Sequence, residues 1–592
     1  MLSLSIFRQR FEYLVQLLVT TPQWGLICFL QIFSGLASFL GLPLLIPVLE
    51  MLQTHSNATP SSHYTQFLAP IFKMAGLELN FHSMLFFAAV LILIGQLLVN
   101  ASSLTASYVR EDLIVMYRKR ILQDYAQVDW QWLTEHHSAR MFHAVIRETE
   151  QACEAHLNAQ RVFINFFQIV VFMAISFRLS WQITLLAIGV YFILGFVNAI
   201  NSNIINKISE LINQQFKHFS NDLISFQHNK KFIKVALLGE RFMAAFRRAI
   251  DAMCTIRKRQ MLHVEFQRAW SMMGTYVLLI VLIYFHQALS LNYATLLLVL
   301  FVFMRMAPQF VALSDIYAAL DMSIPMHRSL QKHLDELHAH IESNGTLEYQ
   351  TPSPIRFEHV RFSYPNHPPV LNDLNLIFEP NTLTALVGKS GCGKSTILDL
   401  LLGLLGPQEG EIYYGDIPRQ DLDKVSLRRH LAFVGQRPSL IDGSLRDNLT
   451  VAHPDASGDD IEKICRGVHL SDFIRQLPLG LDTVVGENGI KLSGGQRQKI
   501  ALARCLLLKP AILILDEATS ELDMESESII QQTLRQLSKG MTTIVVAHRL
   551  STVKSADRIY VIAEGAAVEW GPYDELLARK GKFFELVSVQ HS

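Results

Sequence analysis

The chain has 592 residues, more than one compact domain usually contains. Hydrophobic residues make up 50% and charged residues only 18%, below the roughly 25% that is usual, so part of the chain is expected to avoid water. The formal net charge is zero and gives no indication of nucleic-acid binding. None of the six cysteines forms a Cys-x-x-Cys pair, so we expect free thiols and neither a zinc site nor a disulfide framework.

The first half of the chain contains long stretches without Asp, Glu, Lys or Arg, such as residues 13–49 and 269–304. A helix needs about 20 apolar residues to cross a bilayer. Soluble core helices rarely run this far without a charge, so a large soluble helical core is the weaker interpretation. We predict six membrane spans, at residues 24–49, 82–109, 158–178, 179–203, 266–288 and 293–318.

The charges between the predicted spans indicate an orientation. With six spans, both termini lie on one side, where residues 1–23, 110–157 and 207–265 hold 2, 6 and 11 Lys or Arg. The opposite side contributes only Lys73 and Arg178. The positive-inside rule therefore predicts a multi-pass protein with both termini in the cytoplasm. The compact layout of the chain makes a bacterial inner membrane the expected location. Residues 1–23 mix basic and apolar faces and are predicted to form an amphipathic helix on the membrane surface.

One charge, Arg305, interrupts the sixth predicted span within FVFMRMAPQF. A charge inside a membrane is costly and marks a candidate functional residue. Arg305 is accordingly a candidate residue of a substrate cavity, where it would meet an anionic headgroup. The alternative is a structural arginine that snorkels or pairs with a neighbouring helix.

Polar segments mark the boundaries of the predicted domains. The external loop at residues 50–81 contains the sequon Asn57-Ala58-Thr59, which we interpret as a chance match unless the source is eukaryotic. After the sixth span, ESNGTLEYQTPSPI has the composition of a linker. The predicted order is an amphipathic helix at 1–23, a transmembrane domain at 24–325, a linker at 326–354 and a C-terminal domain at 355–592.

The pattern changes beyond the linker. Short apolar runs such as TALVG, LAFVG, ILILD and TIVVAH alternate with helical segments. This alternation is typical of a parallel sheet covered by helices. The predicted fold class is thus an N-terminal all-α six-helix transmembrane domain followed by a C-terminal α/β domain.

A phosphate-binding loop begins this domain. The segment Gly388–Ser395 fits the pattern G-x-x-x-x-G-K-S/T, with an apolar strand before it and a helix after it. Its glycines let backbone N–H groups surround phosphate oxygens, Lys394 would reach the β- and γ-phosphates, and Ser395 would ligate Mg²⁺. The C-terminal α/β domain is therefore predicted to be a nucleotide-binding P-loop ATPase domain. Its predicted ATP-binding residues in this loop are Gly388, Lys389, Ser390, Gly391, Cys392, Gly393, Lys394, Ser395 and Thr396.

Further candidate residues stand where predicted strands end. Asp516 follows the buried run ILIL and is suited to hold Mg²⁺. Glu517 is adjacent, and a carboxylate beside a γ-phosphate can orient and deprotonate the attacking water. His548 and Gln436 also follow apolar strands, at an edge where ligand groups gather in α/β folds. Tyr364, in RFSYP, is either a buried aromatic or a residue that stacks on a base.

Taken as a set, GKSGCGKST, GENGIKLSGGQRQKIALARCLL, LDEATSELD and VVAHRLST resemble the ATP-binding cassette transporters, specifically exporter half-transporters. The resemblance implies that Tyr364 stacks on adenine and that Gln436 is the Q-loop glutamine, a further Mg²⁺ ligand. It implies that His548 touches the γ-phosphate and that Asp523 belongs to the loop through which the two sites communicate. The signature that it implies consists of Leu492, Ser493, Gly494, Gly495 and Gln496.

The resemblance also implies an assembly and a function. The signature would bind ATP held by the P-loop of a second copy, so we expect a homodimer with two ATP sites. Short coupling helices are expected near residues 127–138 and 226–238. The expected function is an ATP-driven exporter or flippase for a hydrophobic or amphiphilic substrate, with a lipid slightly favoured. A peptide or multidrug exporter is the alternative, and an ATP-gated channel or membrane regulator is the second. The expected partners are thus a second chain, membrane lipid and the transported small molecule, lipid or peptide, with no nucleic acid.

Overall fold

The computed structural model describes most of the chain, and its described residues are 12–54, 80–135, 141–142, 144–285, 293–486, 489–517, 524–547 and 549–591. They form two compact units, a membrane unit within Met1–Gln127 and His137–Ala339, and a cassette unit within Val128–His136 and His340–Ser592. The sequon Asn57-Ala58-Thr59 and most of the predicted 50–81 loop lie outside the described residues.

Long helices make up the described part of the membrane unit. In chain order the helices of the first 339 residues are α1 (residues 12–20), α2 (Trp24–Gly41), α3 (Leu45–Thr54), α4 (Phe81–Gln127), α5 (Trp130–Glu135), α6 (Thr149–Leu179), α7 (Trp181–His228), α8 (Lys230–Val235), α9 (Gly239–Phe285) and α10 (Tyr293–Ala339). A π-helical turn, Ala144–Glu148, precedes α6. The helix α5 belongs to the cassette unit, and the others belong to the membrane unit.

The six predicted spans are confirmed in number and order. Among the described residues, six helical segments are long and apolar enough to cross a membrane, namely Trp24–Leu49, Phe81–Gln127, Ala144–Leu179, Trp181–Gln227, Gly239–Tyr284 and Leu296–Leu313. The predicted short turn between the third and fourth spans is present, because Ser180 is extended (φ −160°) between α6 and α7. Several helices run well past the predicted spans, since polar residues continue the helical pattern outside the apolar stretch.

The linker predicted at residues 326–354 is helical in its first part. The helix α10 continues to Ala339 even though it contains Pro308 and Pro325. Beyond Pro325, buried leucines recur at helical spacing, at Leu330, Leu334 and Leu337. This buried stripe sustains the helix, and the Gly- and Pro-rich composition typical of a linker begins only after it.

A buried histidine pair connects three helices of the membrane unit. Nε2 of His156 in α6 lies 3.3 Å from Nε2 of His327 in α10. The Nδ1 of His156 is 3.3 Å from the carbonyl of Leu17, which can only accept, so this nitrogen carries a hydrogen. His327 therefore donates through Nε2, and its Nδ1 accepts from the hydroxyl of Tyr13 at 2.7 Å. The chain of hydrogen bonds is complete when both rings are neutral.

The cassette unit contains two sheets. Its strands are β1 (Ile355–Phe362), β2 (Leu371–Phe378), β3 (Leu383–Val387), β4 (Glu409–Tyr414), β5 (Ile417–Pro418), β6 (Leu431–Val434), β7 (Ile512–Asp516), β8 (Thr542–Val546), β9 (Arg558–Ala563) and β10 (Ala566–Gly571). The four-stranded sheet has the order β2-β1-β4-β5, and the six-stranded sheet has the order β10-β9-β3-β8-β7-β6. In the larger sheet the strands from β9 to β6 are parallel, and β10 is an antiparallel edge. The predicted α/β fold is confirmed.

Helices surround these sheets. They are α11 (Lys394–Leu401), α12 (Lys424–Arg429), α13 (Leu445–Thr450), α14 (Gly458–Gly467), α15 (Ser471–Gln476), α16 (Gly494–Leu507), α17 (Met524–Leu537), α18 (Leu550–Lys554), α19 (Tyr573–Ala578) and α20 (Lys582–His591). Because the carboxyl ends of β3, β8, β7 and β6 meet at one edge of the larger sheet, the loops that follow these strands are brought together there.

Candidate nucleotide-binding site

The predicted phosphate-binding loop connects β3 to α11. All five residues of β3 are buried, and the strand lies between β8 and β9 in the sheet. Gly388 follows the strand directly, and α11 begins at Lys394. All nine P-loop residues predicted from the sequence therefore lie in this loop and in the first turn of α11. A loop that leads into a helix N-terminus presents backbone N–H groups to an anion.

Two glycines of this loop are required by its geometry. Gly393 precedes α11 with φ 105°, a left-handed conformation that side chains disfavour, and a Cβ there would lie 2.7 Å from a methyl carbon of Leu371. At Gly388, a Cβ would lie 2.3 Å from the carbonyl oxygen of Ile562. A larger residue at either position would displace the backbone that forms the loop.

Lys394 is held inside the loop by the backbone. Its Nζ donates to the carbonyl of Gly388 at 2.8 Å and to that of Lys389 at 2.9 Å. The side chain is buried, whereas Ser395, the next residue, is exposed. The ammonium and the Ser395 hydroxyl are thus presented by the same first helical turn.

Gln436 and Glu517 are 81 residues apart in the chain, and the structure brings them together. The Nε2 of Gln436 donates to Oε2 of Glu517 at 2.8 Å. Their strands, β6 and β7, are neighbours in the sheet, so both side chains leave the same edge. Glu517 also has φ 49°, which is uncommon for a residue other than glycine and marks a conformation imposed by the surrounding structure.

The carboxylates near the P-loop form a region suited to a cation. Burial, and next the charge of Asp516, raise the pKa of Asp399 in α11 to about 6. Two carboxyl groups that oppose each other's ionisation create a negative potential, which a divalent cation would relieve. Hydroxyl, amide and carboxylate oxygens are the ligands that Mg²⁺ prefers, so the donor set of Ser395, Gln436 and Asp516 fits this ion.

Tyr364 lies over the helix that follows the P-loop. Its hydroxyl is 3.3 Å from Oγ1 of Thr396, and its ring packs edge-on against Phe362 at 5.1 Å between centroids. It borders a cavity of about 780 Å³ within the cassette unit, which Asp399 and the α5 residues Trp130 and Glu135 also line. This position is compatible with the predicted stacking on adenine.

The predicted signature residues form the N-terminus of α16. The Oγ of Ser493 accepts from the backbone N–H of Gln496 at 3.2 Å, and Oε1 of Gln496 accepts from the N–H of Ser493 at 2.9 Å. This reciprocal cap holds the first turn rigidly. The N–H groups of Gly494 and Gly495 have no acceptor within the helix and are available for an anion. Leu492 packs against the buried core of the cassette unit.

Two predicted site residues, His548 and Asp523, lie outside the described residues. Asp399 and α5 were not predicted as parts of the site region. A signal for Asp399 was present, since it is a lone carboxylate in the apolar helix STILDLLLGL. The assignment of α5 to the cassette unit had no local signal.

Arg305 lies in α10 and lines a separate cavity in the membrane unit. Its Nη1 donates to Oε1 of Gln96 in α4 at 3.2 Å. Gln96 was not predicted as a candidate, although an amide within LILIGQLLVN is a detectable polar interruption of an apolar span.

Comparison with known proteins agrees with this architecture. The family model described as ABC transporter matches residues 371–520, which include the P-loop, Gln436, the signature and Asp516. The heterocyst differentiation ATP-binding protein HepA of Nostoc is 30% identical over 485 residues, which are 80% of this chain and 78% of that protein. A solved bacterial Atm1-family ABC exporter with ATP bound has the same fold, with a TM-score of 0.78 over 99% of both chains at 21% identity.

Other relatives match only the cassette-sized part. P-glycoprotein 14 of Caenorhabditis elegans is 43% identical over 238 residues, and the ABC multidrug transporter MDR2 of Trichophyton rubrum is 47% identical over 240 residues. Each match covers 40% of this chain, and the chain spans 18% of the length of either relative.

The fold and the site define a multi-pass integral membrane protein with an attached P-loop ATPase cassette, in the arrangement of exporters. The chain belongs to the ABC transporter family. It is an ATP-binding and ATP-hydrolysing transporter.

Proposed function

We propose that this protein is an exporter or flippase that moves a hydrophobic or amphiphilic substrate outward from the cytoplasmic side by alternating access. The observation that carries the proposal is the hydrogen bond between Gln436 and Glu517 beside a complete P-loop. A chain that retains a hydrolytic carboxylate and also carries six candidate spans is equipped to couple ATP turnover to transport.

The residues of the cassette have distinct proposed tasks. Lys394 and the P-loop N–H groups bind the phosphates, while Tyr364 stacks on adenine. Ser395, Gln436 and Asp516 would hold Mg²⁺, which neutralises β- and γ-phosphate oxygens when bound. Glu517 orients the attacking water and takes its proton, and Gln436 fixes the position of that carboxylate. We assign contact with the γ-phosphate to His548.

The proposed working form is a homodimer in which the signature of one chain binds ATP held by the other, and Asp523 lies in the loop between the two sites. The cap of α16, which leaves the N–H groups of Gly494 and Gly495 available, supports this arrangement. The test is oxidative crosslinking of Ser493→Cys to the native Cys392 of a second chain, in a Cys254→Ser background that removes an exposed thiol. We expect an ATP-dependent dimer band. A band that forms equally in the Cys392→Ala variant would contradict the arrangement.

We further propose that α5 and α8, which occupy the positions expected for coupling helices, transmit cassette closure. Within the cassette unit, Val128 just before α5 pairs with Ile341, and the ring of Trp132 lies 6.2 Å from that of His340. In α8, Phe232 and Val235 are largely exposed and available to a partner surface. The Lys and Arg distribution supports cytoplasmic termini. We propose a bacterial inner membrane as the location, on the compact half-transporter layout of the chain.

The transport proposal is tested in sealed inside-out vesicles that contain the purified chain. ATP-dependent movement of a fluorescent phospholipid, a fluorescent peptide and a cationic dye is compared, with Lys394→Ala as the inactive control. Movement of the phospholipid favours the flippase, while movement of the peptide or dye favours the peptide or multidrug exporter. ATP-gated conductance without movement of any cargo would overturn the transport proposal and favour the regulator.

A further inference from the structure

A polar cavity lies between four helices of the membrane unit. It has a volume of about 220 Å³ and is bordered by α2, α4, α6 and α10. Its walls combine apolar side chains such as Phe167 and Phe172 with a ring of polar ones. The polar lining residues are Ser34, Ser38, Gln96, Gln168, Arg305 and Gln309. A space of this size holds several water molecules, or one small headgroup without its hydrocarbon chains.

The cavity carries a positive charge without a matching carboxylate. Among the residues that the structure describes, Arg305 is the charged residue of its lining, which includes no Asp or Glu. Among the described residues, the hydrogen bond of the Arg305 guanidinium goes to an amide oxygen, that of Gln96. The nearby Phe301 ring lies 6.0 Å from the guanidinium carbon and adds no negative charge. A cation placed at this depth in a membrane favours an anionic partner.

The guanidinium is oriented by a second hydrogen bond. Nε2 of Gln96 donates to Oδ1 of Asn100, one turn further along α4, at 3.2 Å. This bond turns Oε1 of Gln96 toward Arg305. A guanidinium has five N–H donors, and the bond to Gln96 uses one of them. The remaining donors form the planar fork that binds phosphate, sulfate or carboxylate oxygens in pairs.

Small residues bring α2 close to both α4 and α6 and hold this arrangement in place. Ser34 donates through Oγ to the carbonyl of Gly95 at 3.0 Å, next to Gln96. A Cβ at Gly95 would lie 3.1 Å from Oγ of Ser38, and one at Gly35 would lie 2.7 Å from the Phe167 ring. Close approach of helices through small residues is a usual packing mode in membranes.

Pro308 lies one turn after Arg305 in α10 and also lines the cavity. A proline cannot donate to the carbonyl four residues earlier, so one backbone hydrogen bond of α10 is missing at this point although the helix continues.

We propose that this cavity binds the anionic headgroup of the transported amphiphile, with Arg305 as its anchor and Gln96 as the residue that positions Arg305. This inference rests on the proposed function, because it assigns a substrate class to the exporter. The recognised chemistry is an oxyanion with at least two free oxygens. The hydrocarbon chain of the ligand would remain outside the cavity, among the apolar surfaces of the span helices.

The test measures equilibrium binding of radiolabelled dodecyl phosphate to the full chain in dodecyl maltoside, without nucleotide. Competitors are unlabelled dodecyl phosphate, dodecylphosphocholine, dodecyltrimethylammonium and inorganic phosphate. We expect dodecyl phosphate to compete best, since it combines an apolar chain with a phosphate of three free oxygens and net negative charge. Dodecylphosphocholine keeps two free oxygens but carries a cationic choline, so it should compete more weakly. Equal competition by inorganic phosphate at the same concentration would overturn the amphiphile assignment, and equal competition by dodecyltrimethylammonium would overturn the anion assignment.

Variants locate the site. Arg305→Gln should weaken binding of dodecyl phosphate by roughly tenfold or more, because a charge-assisted pair is lost. Arg305→Lys should lie between Arg305→Gln and the wild type, because it keeps the charge but not the fork. Gln96→Leu should weaken binding a few-fold through misorientation. Arg178→Gln, which removes an exposed arginine at the end of α6, is the matched control and should bind as the wild type does.

Thermal unfolding of each variant shows whether it is folded, so a loss of binding is read only from folded protein. Binding by Arg305→Gln equal to that of the wild type would overturn the site. This failure is distinguishable from failure of the proposed function. If the vesicles transport cargo but binding of dodecyl phosphate does not depend on Arg305, the cavity site is rejected and the exporter proposal stands. Arg305-dependent binding in a protein that transports no cargo rejects the exporter, and with it the assignment of the bound anion as cargo.

Discussion

Gln436 and Glu517 form the smallest unit of the proposed chemistry. The amide of Gln436 donates to Oε2 of Glu517, the carboxylate that we propose takes the proton of the attacking water. Glu517 has a left-handed backbone, and its N–H donates to the carbonyl of Val546 at 3.3 Å. These backbone constraints orient the carboxylate before the reaction, which reduces the reorganisation needed during hydrolysis.

Glu517→Gln should nearly abolish ATP hydrolysis. Loss of a general base lowers a rate by about 10²–10⁴-fold, whereas the isosteric amide leaves the P-loop contacts to ATP intact. We expect a stable ATP-bound dimer, detected by nucleotide retention and by elution volume. Glu462→Gln, at an exposed glutamate of α14 paired with Arg466, is the control and should keep wild-type turnover. Full activity of Glu517→Gln would refute the assignment of the base.

Cys392 should make the ATPase sensitive to bulky thiol reagents. Its Sγ lies 3.8 Å from Nζ of Lys394, inside the phosphate loop, so a maleimide attached there would occupy space needed by ATP. The measurement is the fraction of ATPase activity lost to N-ethylmaleimide, and bound ATP should reduce that fraction. Cys392→Ala should lose almost none of its own activity to the reagent. Equal inhibition of this variant would assign the effect to another thiol, such as the exposed Cys254.

At the scale of the element, caps determine where the short cassette helices begin. The helix α13 begins after Ser444, whose Oγ accepts from the N–H of Asp447 at 3.0 Å. In return, Oδ2 of Asp447 accepts from the N–H of Ser444 at 2.8 Å. These hydrogen bonds from Ser444 lower the pKa of Asp447, so its carboxylate is the form that the cap stabilises. A six-residue helix has few other sources of stability.

Ser444→Ala should destabilise α13 by about 1 kcal/mol, the usual cost of losing an N-cap hydroxyl. Such a loss increases the population of locally open states by about fivefold. Hydrogen exchange of the amides in Leu445–Thr450 measures this effect. Ser588→Ala, which removes an exposed hydroxyl bonded to Glu585 in α20, serves as the comparison and should leave exchange in α13 unchanged. Unaltered protection of α13 in Ser444→Ala would show that the cap does not hold the helix.

At the scale of the whole molecule, the membrane unit depends on the neutral histidine pair that joins α1, α6 and α10. Burial, and next the neighbouring His156, lower the pKa of His327 to about 4. The groups that face His327 are His156, the Tyr13 hydroxyl and the Tyr117 ring, and Arg328 lies over the Tyr13 ring at 4.6 Å. When both imidazole rings are neutral, each N–H and O–H group in this chain of hydrogen bonds has an acceptor.

This pair predicts a pH dependence with a definite sign. The pKa of His327 is depressed in the folded chain, so its contribution to stability is present above about pH 6.5, where the unfolded imidazole is also neutral. The contribution declines as the pH falls toward about 4 and changes no further below that. Thermal unfolding of the full chain across this range should therefore show a steeper loss for the wild type than for His327→Gln. His469→Asn, at an exposed position of the cassette, is the control and should follow the wild-type curve. Parallel curves of stability against pH for the wild type and His327→Gln would refute the role of the histidine pair.

The sequence alone determined the class of this protein, because its signals are local. Charge-free runs predict membrane spans, since a bilayer core excludes charge over the length of a helix. The phosphate-binding loop can likewise be identified from the sequence. Its glycines, such as Gly393, are required by the geometry of the loop itself, which spans only a few residues. Asp516 and Glu517 stood out since they end an apolar strand. The helical part of the predicted linker was missed, because its leucines are buried by packing that follows from the fold.

Only the tertiary structure decided which distant side chains meet. Gln96 and Arg305 are separated by 209 residues, and no pattern in either helix indicates the other. Their contact depends on how closely α2 approaches α6 at Gly35 and α4 at Gly95, and on the course of α10 through Pro308. The membership of α5 in the cassette unit is a similar case. Helix packing is a property of complementary surfaces, so the polar cavity was visible only once those surfaces were together.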